Sequence, residues 1–172
     1  MTIEIPPSCR DLLTSQSGLL ARWQAVESGM SYPSLDNLLR SGRWQHLYVG
    51  VYAEFTGTLP RDAMIWAALL RCGPDAVLSH FTAAELDGIR GRRADSVHVT
   101  IPGPRRIKGS DHDGRNGLPS IVVHRSARIA IAKHPAKSPP RTRVEETVLD
   151  LTELARDADE VFLILSVVFV AA

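Results

Sequence analysis

Apolar residues come in short helical and strand-like runs along this chain, each closed by a residue that breaks regular structure. Ser8 followed by Asp11 and the Leu12–Leu13 pair predicts a helix over about 8–16, capped by Ser8 and broken at Ser17 and Gly18. Leu19–Leu20 reads as a short apolar link. A second helix is expected over about 21–28, with Trp23 and Val26 three apart, and Gly29 supplies a left-handed stop. Ser31 caps a third helix with Pro33 in its first turn. In that helix Leu35, Leu38 and Leu39 form one buried stripe, and Tyr32, Asp36, Asn37 and Arg40 take the opposite side as far as Gly42. Residues 44–53 are rich in β-formers around Gly50, as in a tight hairpin. Three short helices and a hairpin within residues 1–57 make the layout of a winged helix-turn-helix, whose third helix is placed to enter a major groove.

Thr56 to Pro60 marks a boundary, which predicts a winged helix-turn-helix domain over 1–57 and a second region over 58–172. A helix over about 60–72, capped by Thr58, is apolar almost all round and is expected to be buried on most sides. Ala76 to Leu78 reads as a strand, and Ser79 as the cap of a helix over about 80–87. Val97, Val99 and Ile101 alternate with His98 and Thr100, the pattern of a half-buried strand. Residues 103–119 read as a mobile, glycine-rich basic loop, 121–123 as a strand and 126–140 as extended chain. Thr142 and Glu145 suggest a capping box for a helix over about 143–155 that buries Val144, Val148 and Leu151, and Asp157 or Asp159 caps a last helix. The expected fold class is α+β: the winged helix, then a small mixed α/β region with short strands and C-terminal helices. The closing run VFLILSVVFVAA has 12 residues, against the roughly 20 that a membrane span needs. A buried helix is expected there, and no membrane partner.

Charge sharpens this picture only through its distribution. The net charge is +1, but residues 1–58 carry −1, residues 104–143 carry +8 and residues 144–172 carry −6. The two cysteines have no CxxC spacing, which excludes a disulfide framework and fits a reducing cytoplasm. The acidic N-terminus lacks the apolar core of a secretory signal.

On the third helix, Tyr32, Ser34, Asn37 and Arg40, with Arg43 just after it, are the candidates for base and phosphate contacts, because Asn matches adenine and Arg matches guanine in the major groove. His46 and Tyr48 would touch phosphate from the wing, while Asp36 on the same face opposes it. Arg105, Arg106 and Lys108, with Arg115, Arg125, Arg128, Lys133 and Lys137, offer either further phosphate contacts or a solvated loop neutralised by the acidic run from Glu145 to Glu160. Ser79–His80 reads as a helix cap and a first-turn residue, because adjacency in sequence is not the geometry of a nucleophile and its base. Asp111-His112-Asp113 sits in the glycine-rich loop without a fourth ligand, and Glu145, Glu146 and Asp150 read as helix-capping and helix residues. No catalytic residue, metal or cofactor is expected, and the chain reads as a binding protein rather than an enzyme.

Several stretches together resemble the AbiEi-type antitoxin family. Ser41-Gly42-Arg43-Trp44 with Gly50-Val51-Tyr52-Ala53 resembles the wing of its N-terminal domain. Val77 to His80 with Thr82-Ala83-Ala84 and Gly88, then 97–102, 123–126 and 143–151, follow in the order of actinobacterial members that continue into an endonuclease-like domain of the very-short-patch-repair type. The resemblance covers about residues 8–160 and implies a cytoplasmic autoregulator of a type IV toxin–antitoxin, or abortive-infection, system. Its partners would be operator DNA, a cognate toxin and a second copy of itself. The nuclease residues of the longer members lie beyond the end of this chain, so none carries over. The alternative is the protein-interaction front half of a truncated nuclease-like protein, with no operator binding.

Overall fold

Local signals place most elements of this chain, and the differences arise where tertiary packing overrides them. The computed structural model describes residues 4–89, 94–107 and 117–170, with side chains as far as Ser166. Contacts gather these into two compact units, one of residues 4–73 with 117–118, the other of 74–107 and 119–170. Helices and two small sheets are both present, an α+β content.

The first unit holds α1 (Pro7–Ser15), β1 (Leu19–Ala21), α2 (Arg22–Glu27), α3 (Tyr32–Arg40), β2 (Gln45–His46), β3 (Val51–Ala53) and α4 (Arg61–Cys72). Helix α1 starts one turn-position earlier than its polar pattern suggests, because Pro6 and Pro7 set the helical entry; Ser8 lies inside it and its hydroxyl donates to the Ser28 carbonyl at 3.4 Å instead of capping. Leu19–Leu20 is not a link but β1, paired antiparallel with β3, which in turn pairs with β2. Helix α2 does not bury Trp23 and Val26 together: Val26 is 41% exposed, and Gln24 and Ala25 face the core. A polar exchange explains this arrangement. The Gln24 amide donates to Gln16 at 2.8 Å and accepts from the Ala21 backbone at 3.0 Å, so it is satisfied inside. Ser31 caps α3 as expected, accepting from the Ser34 N–H at 3.3 Å, and Leu35 and Leu38 enter a core with Leu13, Leu20, Met30 and Trp44. Helix α4 packs on β1 and β3, so the first compact unit includes α4 and runs on to Gly73. Pro60, not Thr58, precedes its first turn, and no side chain caps it. Cys9 and Cys72 are both buried.

The second unit holds β4 (Val77–Leu78), α5 (His80–Leu86), β5 (Val97–Pro102), β6 (Ile121–Ser126), α6 (Ile129–Ala132), α7 (Val144–Glu153) and α8 (Ala158–Val170). Strand β5 lies between β4, antiparallel to it, and β6, parallel to it. Being central, β5 is buried on both faces, His98 and Thr100 included, so the half-buried reading of its alternation does not hold. The stretch 126–140 is not wholly extended, because α6 interrupts it. No capping box starts α7: Arg143 stands at its N-cap, and the Thr142 hydroxyl turns inward to the Thr147 hydroxyl at 2.7 Å. Asp157 caps α8 by accepting from the Glu160 N–H at 2.8 Å. Over its described side chains, helix α8 is not buried as its apolar run suggests. Ile164 packs with Ala84, Val148 and Leu151, but Phe162 is 76%, Leu163 54% and Leu165 39% exposed. The predicted glycine-rich loop, with Lys108 and Asp111-His112-Asp113, lies mostly outside the described residues. No helix of the described residues is long and apolar enough to cross a membrane.

Candidate functional site

Among the described residues, two places gather polar and titratable side chains, one in each unit. In the first, the Ser31 cap and the Leu35/Leu38 stripe fix which side of α3 faces outward. Tyr32, Asn37 and Arg40 are exposed on that side with Asp36, and Arg43 is exposed just beyond. Ser34 is half-buried, its hydroxyl 2.9 Å from the Ser31 hydroxyl, so its polar atom is engaged in the cap. His46 is exposed on β2, edge-on to the Tyr52 ring at 5.5 Å. Tyr48 is buried, so its ring is not offered to a phosphate as expected. Arg22 is drawn inward: its Nε and Nη2 donate to the Tyr52 hydroxyl at 2.8 and 2.6 Å.

The basic segment of the second unit is largely paired within that unit. Arg105 donates to the Pro74 carbonyl and lies 3.9 Å from the Asp75 carboxylate. Arg128 meets Glu146 at 3.1 Å, and Arg125 donates to the Arg105 carbonyl at 3.2 Å. Lys137 and Arg141 both reach Asp87 at 2.7 Å. Of the expected phosphate contacts here, Arg106 is exposed, and Lys108 lies outside the described residues.

The second place was not foreseen as a site. Strand β4 runs beside β5 and delivers Ser79 and His80 next to His98, while the parallel register sets His124 of β6 opposite Thr100. His98 Nδ1 and His124 Nε2 approach to 3.0 Å. The His80 ring stacks on His124 at 3.6 Å between centroids, tilted 13°. Ser79 is no helix cap in the usual sense, because no backbone N–H of α5 donates to its side chain. Its hydroxyl accepts from Thr100 at 2.8 Å and lies 2.9 Å from His80 Nδ1. Asp150 of α7 brings its Oδ2 to 3.5 Å from the same nitrogen. His80 is held at φ 49°, in the left-handed region, a strained setting for a non-glycine residue.

Burial, then the neighbouring His124 and His98, push the His80 imidazole down to about 3. Burial also lowers His124. Burial raises Asp150 to about 6, against a hydrogen bond from the His80 backbone. His80 and His124 are therefore neutral imidazoles at physiological pH, each with one lone pair on the ring. A cavity of about 320 Å³ opens beside them, lined among others by Thr100, Arg125, Arg128 and Asp150.

No protein-family model and no curated protein sequence matches the chain. Its chemistry therefore has to be read from the two sites themselves. The α3 face was visible in the sequence because cap and stripe are local. The histidine cluster was not, because positions 80, 98 and 124 have no short ligand spacing and meet only through β-pairing. The one signal available was polar residues at 98 and 100 in a strand that is flanked in sequence by two others.

Proposed function

We propose that the chain is a DNA-binding regulator of the antitoxin type, acting by binding rather than catalysis. Its first unit is read as a winged helix: α2, a short turn and α3, then the β2–β3 hairpin as the wing. The observation that carries this reading is the outward face of α3, where Tyr32, Asn37, Arg40 and the following Arg43 stand exposed on a helix whose opposite side is locked in the core. Asn37 and Arg40 have the donor and acceptor geometry for base edges, and Arg43 and His46 for phosphate. The resemblance to AbiEi-type antitoxins supplies the biological setting: a cytoplasmic autoregulator with a cognate toxin, working as a homodimer on operator DNA.

A second reading, a protein-interaction module without operator affinity, is favoured by Asp36 on the α3 face and by the pairing of Arg105, Arg128, Lys137 and Arg141 with carboxylates. A gel shift against the gene's own upstream DNA separates the two. At 50 mM salt the wild type is expected to shift that fragment, and Arg40→Ala with Arg43→Ala to weaken the shift by roughly tenfold or more, at 1–3 kcal/mol per good base contact. No shift, or a shift that the double variant leaves unchanged, sinks the operator reading.

A further inference from the structure

We propose that His80, His98 and His124 bind one divalent transition-metal ion of the zinc class, with Asp150 orienting His80 and the fourth position facing the adjoining cavity. This does not depend on the DNA-binding reading, since the cluster lies wholly in the second unit.

Each of the three residues offers a ring nitrogen, and these atoms lie within 4.8 Å of one another. Two imidazole nitrogens on a tetrahedral zinc, each at about 2.0–2.1 Å, stand roughly 3.3–3.4 Å apart. The 3.0 Å between His98 Nδ1 and His124 Nε2 already falls close to one such edge. The third nitrogen has to close by on the order of 1 Å, and the His80 ring has to turn out of its 13° stack on His124 so that both ring planes meet at the ion.

The surroundings fit a ligand set better than a packing accident. Setting three imidazoles side by side, His80 and His98 buried and His124 half-buried, is costly unless each finds a polar partner. A hydrogen bond between His98 and His124 uses one proton for two nitrogens, whereas a cation takes both lone pairs and moves the ring protons to the outer nitrogens. His80 has the outer support that ligating histidines use: Asp150 3.5 Å from Nδ1 and Ser79 2.9 Å from it, the latter held by Thr100. With Nδ1–H directed at these oxygens, Nε2 is left as the donor to the metal. The left-handed backbone at His80 is a strained setting at the residue whose ring stands in the cluster, as strained positions at functional sites do. Three neutral nitrogen ligands suit zinc, copper, nickel or iron and not magnesium or calcium, which take oxygen. Three protein ligands with a cavity at the fourth position leave room for a bound water.

The test uses the full chain without a histidine tag, stripped with a chelator and dialysed. Co(II) is titrated in and the visible ligand-field absorption followed, then Zn(II) is added in competition and measured by calorimetry. One Co(II) per chain is expected, displaced by one Zn(II). His124→Ala is expected to abolish binding, and Asp150→Asn to weaken it by about 10–100-fold with the same stoichiometry. His134→Ala, which removes a histidine outside the cluster, is expected to change nothing. Circular dichroism on each variant separates lost ligation from lost fold, and the wild-type titration decides even if the variants misfold. No saturable binding by the wild type overturns the proposal, as does equal binding by a folded His124→Ala. Loss of the DNA shift with metal binding intact would strike the operator reading and leave this one standing.

Discussion

Asp87, near the end of α5, holds a carboxylate only 3% exposed between two cations, with Lys137 Nζ and Arg141 Nε each 2.7 Å from its Oδ1. Its Oδ2 is buried with no hydrogen-bond partner among the described residues, so the two cations carry nearly the whole compensation. Removing the anion strands two positive charges that are themselves only partly solvated. Breaking a buried pair from one side costs about 3–5 kcal/mol, and the partial exposure of Lys137 puts this case near the lower figure. Asp87→Ala is therefore expected to lose about 3 kcal/mol in urea unfolding. A loss under about 1 kcal/mol, the range of surface pairs, would show that the cluster contributes little. Nothing in the sequence announces this contact. Lys137 and Arg141 stand 50 and 54 residues from Asp87, and read alone they are charges of a basic stretch. The histidine cluster escaped for the same reason. Residues 80, 98 and 124 meet through strand pairing, which no local spacing encodes.

At the scale of elements, legibility follows how local the determinants are. Helix α3 could be read almost residue by residue, since its cap, its proline and its leucine stripe all lie within one short run. Strand β1 reads as a link in the sequence because its three residues, all buried, show no alternation. Helix α2 turns a satisfied Gln24–Gln16 pair inward and leaves Val26 exposed, which apolar spacing alone does not encode. Helix α8 is the reverse case. Its apolar run predicts burial, yet only Ile164 of the three neighbouring aliphatic residues 163–165 enters the core. Exposed neighbours as large as Phe162, Leu163 and Leu165 are rarely left in water on a monomer. The expected consequence is self-association through this face, the homodimer of the antitoxin reading. Sedimentation velocity is expected to show a weight-average mass that rises with protein concentration, and Phe162→Ser to reduce that rise. Wild type and variant that sediment alike, as monomers, would remove α8 from the account.

For the whole molecule, the separation of charge along the chain matters more than the net +1. The +8 of residues 104–143 suggests a strong hold on phosphate. The structure discounts much of it, since Arg105, Arg128, Lys137 and Arg141 already face carboxylates in their own unit. A cation already paired releases fewer counterions from DNA, because breaking its pair offsets the contact it makes. Salt dependence then counts the phosphates held. Each contact contributes about −0.9 to the slope of log K against log salt. Arg43, the arginine assigned to phosphate on this face, gives a slope of roughly −1 per chain, shallow for an operator-binding protein. Fluorescence anisotropy on the upstream DNA at several salt concentrations measures it. A slope near that value in the wild type, flattened further by Arg43→Ala, places the hold in the first unit. A slope steeper than about −5 per chain would mean that the basic segment breaks its internal pairs to join the DNA, and Lys137→Ala with Arg106→Ala would then flatten it instead.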